Sequence, residues 1–124
     1  MTSDSNSTPG CGDTFAPKFN AAGLLTAVVV SAADNRVLMV AHMDAEALAK
    51  TRASGLAHFH SRSRGALWLK GETSGNLLHV EEIRVDCDQD ALVVVARADG
   101  PACHTGAQSC FYRRLEGDAL VSDG

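Results

Sequence analysis

Leu77-Leu78-His79-Val80-Glu81-Glu82-Ile83-Arg84-Val85-Asp86-Cys87-Asp88-Gln89-Asp90-Ala91-Leu92-Val93-Val94-Val95-Ala96-Arg97 is the stretch on which the reading of this chain turns. Val and Ile crowd both halves and an Asp-rich interval parts them, which predicts one strand over Leu77 to Asp86, another over Ala91 to Arg97, and a connection at Cys87 to Asp90. The adjacent Glu81 and Glu82 break the alternation, as a bulge does. Successive side chains of an extended segment point to opposite faces, so Asp86, Asp88 and Asp90 are expected on one side and Cys87 on the other.

Carboxylates suit a magnesium-like ion and thiolates a zinc-like one, and further thiols follow at Cys103, beside His104, and at Cys110. Three thiolates leave the fourth position of a tetrahedral zinc open to water, which points to hydrolysis. Their three negative charges also blunt the metal's acidity, so a neighbouring base is called for, and His104 is the adjacent candidate. Competing readings are disulfides, a closed structural zinc site completed by Cys11 or His104, and a solvated turn for the aspartates.

Working outward, Leu24 to Val30 and Val37 to Val40 read as strands joined by the turn residues Ser31 to Asn35. Asp44 is placed to cap a helix over Ala45 to Arg52, with Gly55 to stop it. Short strands separated by turns at Ser63-Arg64-Gly65 and Thr73-Ser74-Gly75-Asn76 complete an α+β fold, a mainly antiparallel sheet with one principal helix in a single domain over residues 15–124. Residues 1–14 have little to bury and are expected to be a disordered tail, in which Cys11 is an incidental thiol.

The 124-residue chain carries a formal net charge of -4, which argues against general affinity for nucleic acid or acidic membranes. It shows no bilayer-length apolar run and no secretory signal pattern, so the cytoplasm is the expected compartment, where reducing conditions favour thiolate ligands over disulfides.

A second constellation gathers Arg62, Arg64, Trp68, Lys70 and the flexible run Gly71-Glu72-Thr73-Ser74-Gly75-Asn76. Arginine forks and glycine-rich turns suit phosphate, and an indole can stack on a purine. His42, His58, His60 and His79 show no ligand spacing and read as packing or surface residues.

With these motifs in view, the chain resembles the phosphoribosyl-AMP cyclohydrolase family of histidine biosynthesis from about Gly23 to Arg113. The resemblance is carried by Ser61 to Arg64, Leu67 to Asn76, Asp86 to Asp90, Gly100 to Gly106 and Ser109 to Arg113. It implies zinc on Cys87, Cys103 and Cys110, magnesium on Asp86, Asp88 and Asp90, and a catalytic His104. It further implies hydrolytic opening of the purine ring of 1-(5-phosphoribosyl)-AMP between nitrogen 1 and carbon 6, with Arg62, Arg64, Trp68, Lys70, Ser74, Gly75 and Asn76 as candidate substrate contacts. An intertwined homodimer is also implied, one subunit giving Cys87 and the other Cys103 and Cys110 to a shared zinc site. The sequence departs from the family at His42, His60 and Leu78, where Tyr, Trp and Gln are common. Rival readings are a zinc-dependent purine deaminase, which lacks support because Cys103 and Cys110 do not form that signature's closely spaced Pro-Cys-x-x-Cys pair, and a non-catalytic zinc-stapled module.

Overall fold

The computed structural model describes residues 14–122; the Cys11 reading and nearly all of the expected tail lie outside them. Eight strands and one helix follow in the order β1 (Leu25–Ser31), β2 (Val37–Met43), α1 (Ala45–Ser54), β3 (His58–Ser61), β4 (Ala66–Leu69), β5 (Leu78–Val85), β6 (Ala91–Ala98), β7 (Arg113–Glu116) and β8 (Ala119–Ser122). A four-stranded sheet in the order β2-β1-β6-β5 forms the centre, and β3-β4 and β7-β8 are separate hairpins.

The central sheet is mixed: β1 runs antiparallel to β2, β6 antiparallel to β5, and β1 parallel to β6. Parallel neighbours need a long crossover, and the fifty-odd positions between β1 and β6 hold the helix and the β3-β4 hairpin that provide it. Alternation sends Leu25, Ala27 and Val29 of β1 and Leu92, Val94 and Ala96 of β6 into one core with Met43, Leu48, Phe59 and Leu78. The expected bulge is present: Val80 faces Ala96 and Glu82 faces Val95, which leaves Glu81 as the extra residue.

The helix follows its sequence signals and runs two residues past Arg52. Asp44 Oδ1 accepts the Ala47 N–H at 2.8 Å, and Gly55 closes the other end at φ 76° with its N–H on the Thr51 carbonyl at 2.9 Å. Losing that N-cap, as in Asp44→Ala, costs about 1 kcal/mol. The Thr51 hydroxyl accepts the His58 N–H at 2.9 Å, which docks the helix on β3. The β7-β8 hairpin was not expected from the sequence; its two-residue Gly117-Asp118 connection, with Gly117 at φ 62°, is the turn signal that marks it. Among the described residues no helix is long and apolar enough to cross a membrane.

Candidate functional site

The acidic segment is a turn, which corrects the expectation of an extended one. Strand pairing brings β5 and β6 side by side, so the chain must reverse between them: Asp86 N–H donates to the Ala91 carbonyl at 3.1 Å and Gln89 N–H to the Asp86 carbonyl at 3.0 Å. Gln89 adopts φ 62°, a left-handed conformation uncommon outside glycine. Asp86 Oδ1 accepts the N–H groups of Asp90 at 2.9 Å and Ala91 at 3.2 Å. The three aspartates still converge, each giving an oxygen within 4.8 Å of the others, because the turn folds them together rather than because a strand alternates.

Convergence couples their protons. Hydrogen bonding to Asp86 and Asp88, with repulsion from both, pushes Asp90 up to about 6. Burial alone would raise Asp86, but hydrogen bonds from Asp88, Asp90 and the Ala91 N–H outweigh it and hold its carboxyl below the usual range. Below about pH 6 the trio therefore holds a proton with which a hard cation has to compete. Beside it opens a cleft of about 390 Å³ lined by Lys18, Phe19, Asn20, Leu24, Thr26, Asp88 and Asp90.

The cysteine loop, residues 100–112, is built differently. It closes on itself through Cys103 N–H on the Ala107 carbonyl at 3.1 Å and Gly106 N–H on the Cys103 carbonyl at 2.9 Å. It is fastened to β2 by Cys110 N–H on the Leu38 carbonyl and by the fully buried Ser109, whose hydroxyl donates to the Val37 carbonyl, each at 2.7 Å. Thr105 Oγ1 donates to Cys103 Sγ at 3.1 Å, and that bond, helped by one from Cys110 and by the charge of Lys70, holds the Cys103 thiol below its ordinary value. Partial covering of its sulfur and the neighbouring Cys103 push Cys110 up. One thiol thus ionises more readily than an ordinary cysteine and has a second beside it, the chemistry of a soft-metal ligand pair.

Cys87, exposed on the acidic turn, does not join them. None of the three described cysteines is in a disulfide, and among the described residues the aspartate trio is the only group of three or more His, Cys, Asp or Glu side chains close enough to hold one ion. His104 is exposed in the loop, next to Cys103.

The second constellation divides. Lys70 Nζ lies 5.5 Å from the centre of the Trp68 ring, which itself packs on Phe59 at 5.7 Å, and its charge acts on both Cys103 and Cys110. The turn after it reaches the same loop: Asn76 Nδ2 donates to the Pro101 carbonyl at 3.5 Å. Glycine is required at position 71, where φ is 91° and a Cβ would stand 2.5 Å from the Asn76 carbonyl oxygen, while a Cβ at Gly100 would displace the Asn76 side chain from this contact. Trp68, Lys70 and Asn76 are therefore gathered around the cysteine loop, whereas Ser74 and Gly75 sit exposed on the same turn. Arg62 and Arg64 are exposed on the β3-β4 turn, where Gly65 N–H closes on the Ser61 carbonyl at 2.7 Å. Burial, and then the charge of Arg62, lower His42 on β2.

Of the positions that depart from the family, Leu78 is buried in the core, and His60 Nδ1 lies 3.3 Å from Asp44 Oδ2 at the helix cap. Gln89, Thr105 and Ser109 were missed by the sequence reading. Thr105 and Ser109 carry only the weak signal of hydroxyls next to cysteines, and Gln89 carries none.

A family profile described as phosphoribosyl-AMP cyclohydrolase matches residues 39–112, which span both the acidic turn and the cysteine loop. Curated relatives bear the same description. A protein of Sphingopyxis alaskensis is 64% identical over 106 residues, 86% of this chain and 84% of its own. One from Chelativorans sp. is 58% identical over 115 residues, 91% of this chain and 80% of its own. One from Erythrobacter litoralis is 59% identical over 109 residues, 88% of this chain and 87% of its own.

Proposed function

This chain belongs to the phosphoribosyl-AMP cyclohydrolase family, and from that premise we propose how its residues divide the work of the reaction. It is an enzyme of histidine biosynthesis that opens the purine ring of 1-(5-phosphoribosyl)-AMP with water. The water oxygen becomes bonded to carbon 6, the bond from carbon 6 to nitrogen 1 breaks, and the amino group of the purine is retained.

In our reading Cys87, Cys103 and Cys110 hold zinc, and Asp86, Asp88 and Asp90 hold magnesium. The donor sets fit. A thiol held below its ordinary value and hydrogen-bonded to a second thiol suits a soft ion, and three convergent carboxylates suit a hard one. Bound there, zinc supplies Lewis acidity toward water and magnesium supplies positive charge for a substrate phosphate. His104 moves the proton between water and the ring, an exposed imidazole beside the Cys103 thiol being placed for that exchange. Lys70, Trp68 and Asn76 orient the nucleotide over the loop, Ser74 and Gly75 offer a hydroxyl and a backbone N–H, and Arg62 and Arg64 take a phosphate.

The separation of Cys87 from Cys103 and Cys110 within one protomer supports a zinc site shared between the two subunits of an intertwined homodimer, each supplying what the other lacks. Three described cysteines outside any disulfide favour a reducing compartment, the cytoplasm. The observation that carries the functional reading is the family match running unbroken through both ligand-bearing segments. Incubating reduced protein with 1-(5-phosphoribosyl)-AMP and following product by mass tests it: a gain of one water with no ammonia released is expected, and released ammonia overturns it.

A further inference from the structure

Residues 14–18 run along the acidic turn, and a single side chain ties the two together. Gln89 Oε1 accepts the Ala16 N–H at 2.6 Å, its Nε2 donates to the Thr14 carbonyl at 3.3 Å, and its own carbonyl accepts the Lys18 N–H at 2.8 Å. Gln89 is 7% exposed, the one buried residue among the five from Asp86 to Asp90. Its backbone is left-handed, where glycine is the easiest occupant, so the presence of a long amide side chain there calls for a reason beyond the turn itself.

We propose that Gln89 is a positioning residue. By clasping residues 14–18 it fixes the spacing of Asp86, Asp88 and Asp90, and it keeps Lys18 on the wall of the cleft that Asp88 and Asp90 share. Ionised carboxylates this close repel one another, and an unclasped turn spreads to relieve the repulsion and loses its fit to a small cation. Groups that hold ligands in place from behind are worth a substantial part of metal affinity. The inference rests on the reading of the aspartate trio as a divalent-cation site, and the test separates the two.

Mn²⁺ alone is titrated into the full-length protein, free ion is followed by electron paramagnetic resonance, and zinc content and metal-free Tm are measured alongside. Gln89→Gly, which suits the left-handed backbone and keeps the carbonyl that holds Lys18 while deleting the side-chain bonds to Ala16 and Thr14, is expected to weaken Mn²⁺ binding by about tenfold with zinc content unchanged. Ala16→Pro removes the N–H that Gln89 Oε1 accepts and stiffens the backbone around it; it is expected to weaken binding in the same direction, and the double variant to be no worse than Gln89→Gly, since the bond lost in the first is one of the two lost in the second. Should Gln89→Gly fail to fold, Ala16→Pro carries the test. Undiminished Mn²⁺ affinity in the folded variants overturns the inference. If Asp88→Asn also leaves Mn²⁺ binding intact, the cation reading of the trio falls with it.

Discussion

The acidic turn and the cysteine loop each present metal-ligating groups, yet they are assembled in opposite ways. Asp86, Asp88 and Asp90 lie within five residues, and one reversal of the chain brings them within 4.8 Å of each other. The thiols are spread from Cys87 to Cys110; two meet in a loop fastened to β2 by Ser109 and Cys110, and the third remains on the acidic turn. Local backbone geometry makes the three aspartates converge within this chain, whereas tertiary placement brings together only two of the three thiols. Cys87 lies on the turn that makes the first set and, in the proposed function, is the third donor of the second.

The sharpest break of this comparison is Cys103→Ala, which removes the thiol that Thr105 and Cys110 both support. Zinc retention and turnover should be lost together while Mn²⁺ binding at the acidic turn persists; full activity after metal stripping rules out the thiol assignment. Next in size is His104→Ala, expected to retain zinc and lower kcat about a hundredfold, the usual scale of acid-base help. Unaltered kcat takes His104 out of the mechanism.

A mixing experiment sharpens the contrast between local and shared sites. Inactive Cys87→Ala and Cys103→Ala proteins, unfolded and refolded together in equal amounts, should regain about a quarter of wild-type activity, since half the dimers are mixed and each holds one intact site of two. No recovery means that all three thiols come from one protomer.

The smallest effect expected is a pH dependence confined to the acidic turn. Asp90 is raised to about 6, so the trio binds a proton below that pH and a cation must displace it, while Asp86 is held down and stays ionised. Mn²⁺ affinity should be level above about pH 6 and fall roughly tenfold per unit below it, as expected for displacement of one proton. A level profile from pH 5 to 8 dissolves the coupling inferred for the three carboxylates.

Much of this was legible in the residues. The strands flanking the acidic segment, the bulge at Glu81, the Asp44 cap and the Gly55 stop all follow from alternation and local backbone preference, which act between near neighbours. The parallel pairing of β1 with β6 was not legible, because two apolar strands separated by a long crossover carry no mark of which way they lie together. The aspartates were grouped correctly for the wrong reason: five residues that alternate on paper are bent into a turn by the pairing of the strands on either side. Gln89 was missed because its partners, Thr14 to Lys18, lie more than seventy positions away.

By itself, then, the sequence determined which chemistries this protein carries, since carboxylates, thiols and an imidazole keep their ligand preferences wherever the chain takes them, while the fold shifts their proton affinities. Tertiary structure alone decided which of them meet. Joining Cys103 with Cys110 and Lys70, holding Cys87 apart and seating residues 14–18 on Gln89 depend on contacts between distant segments, and those are set by how the whole core packs.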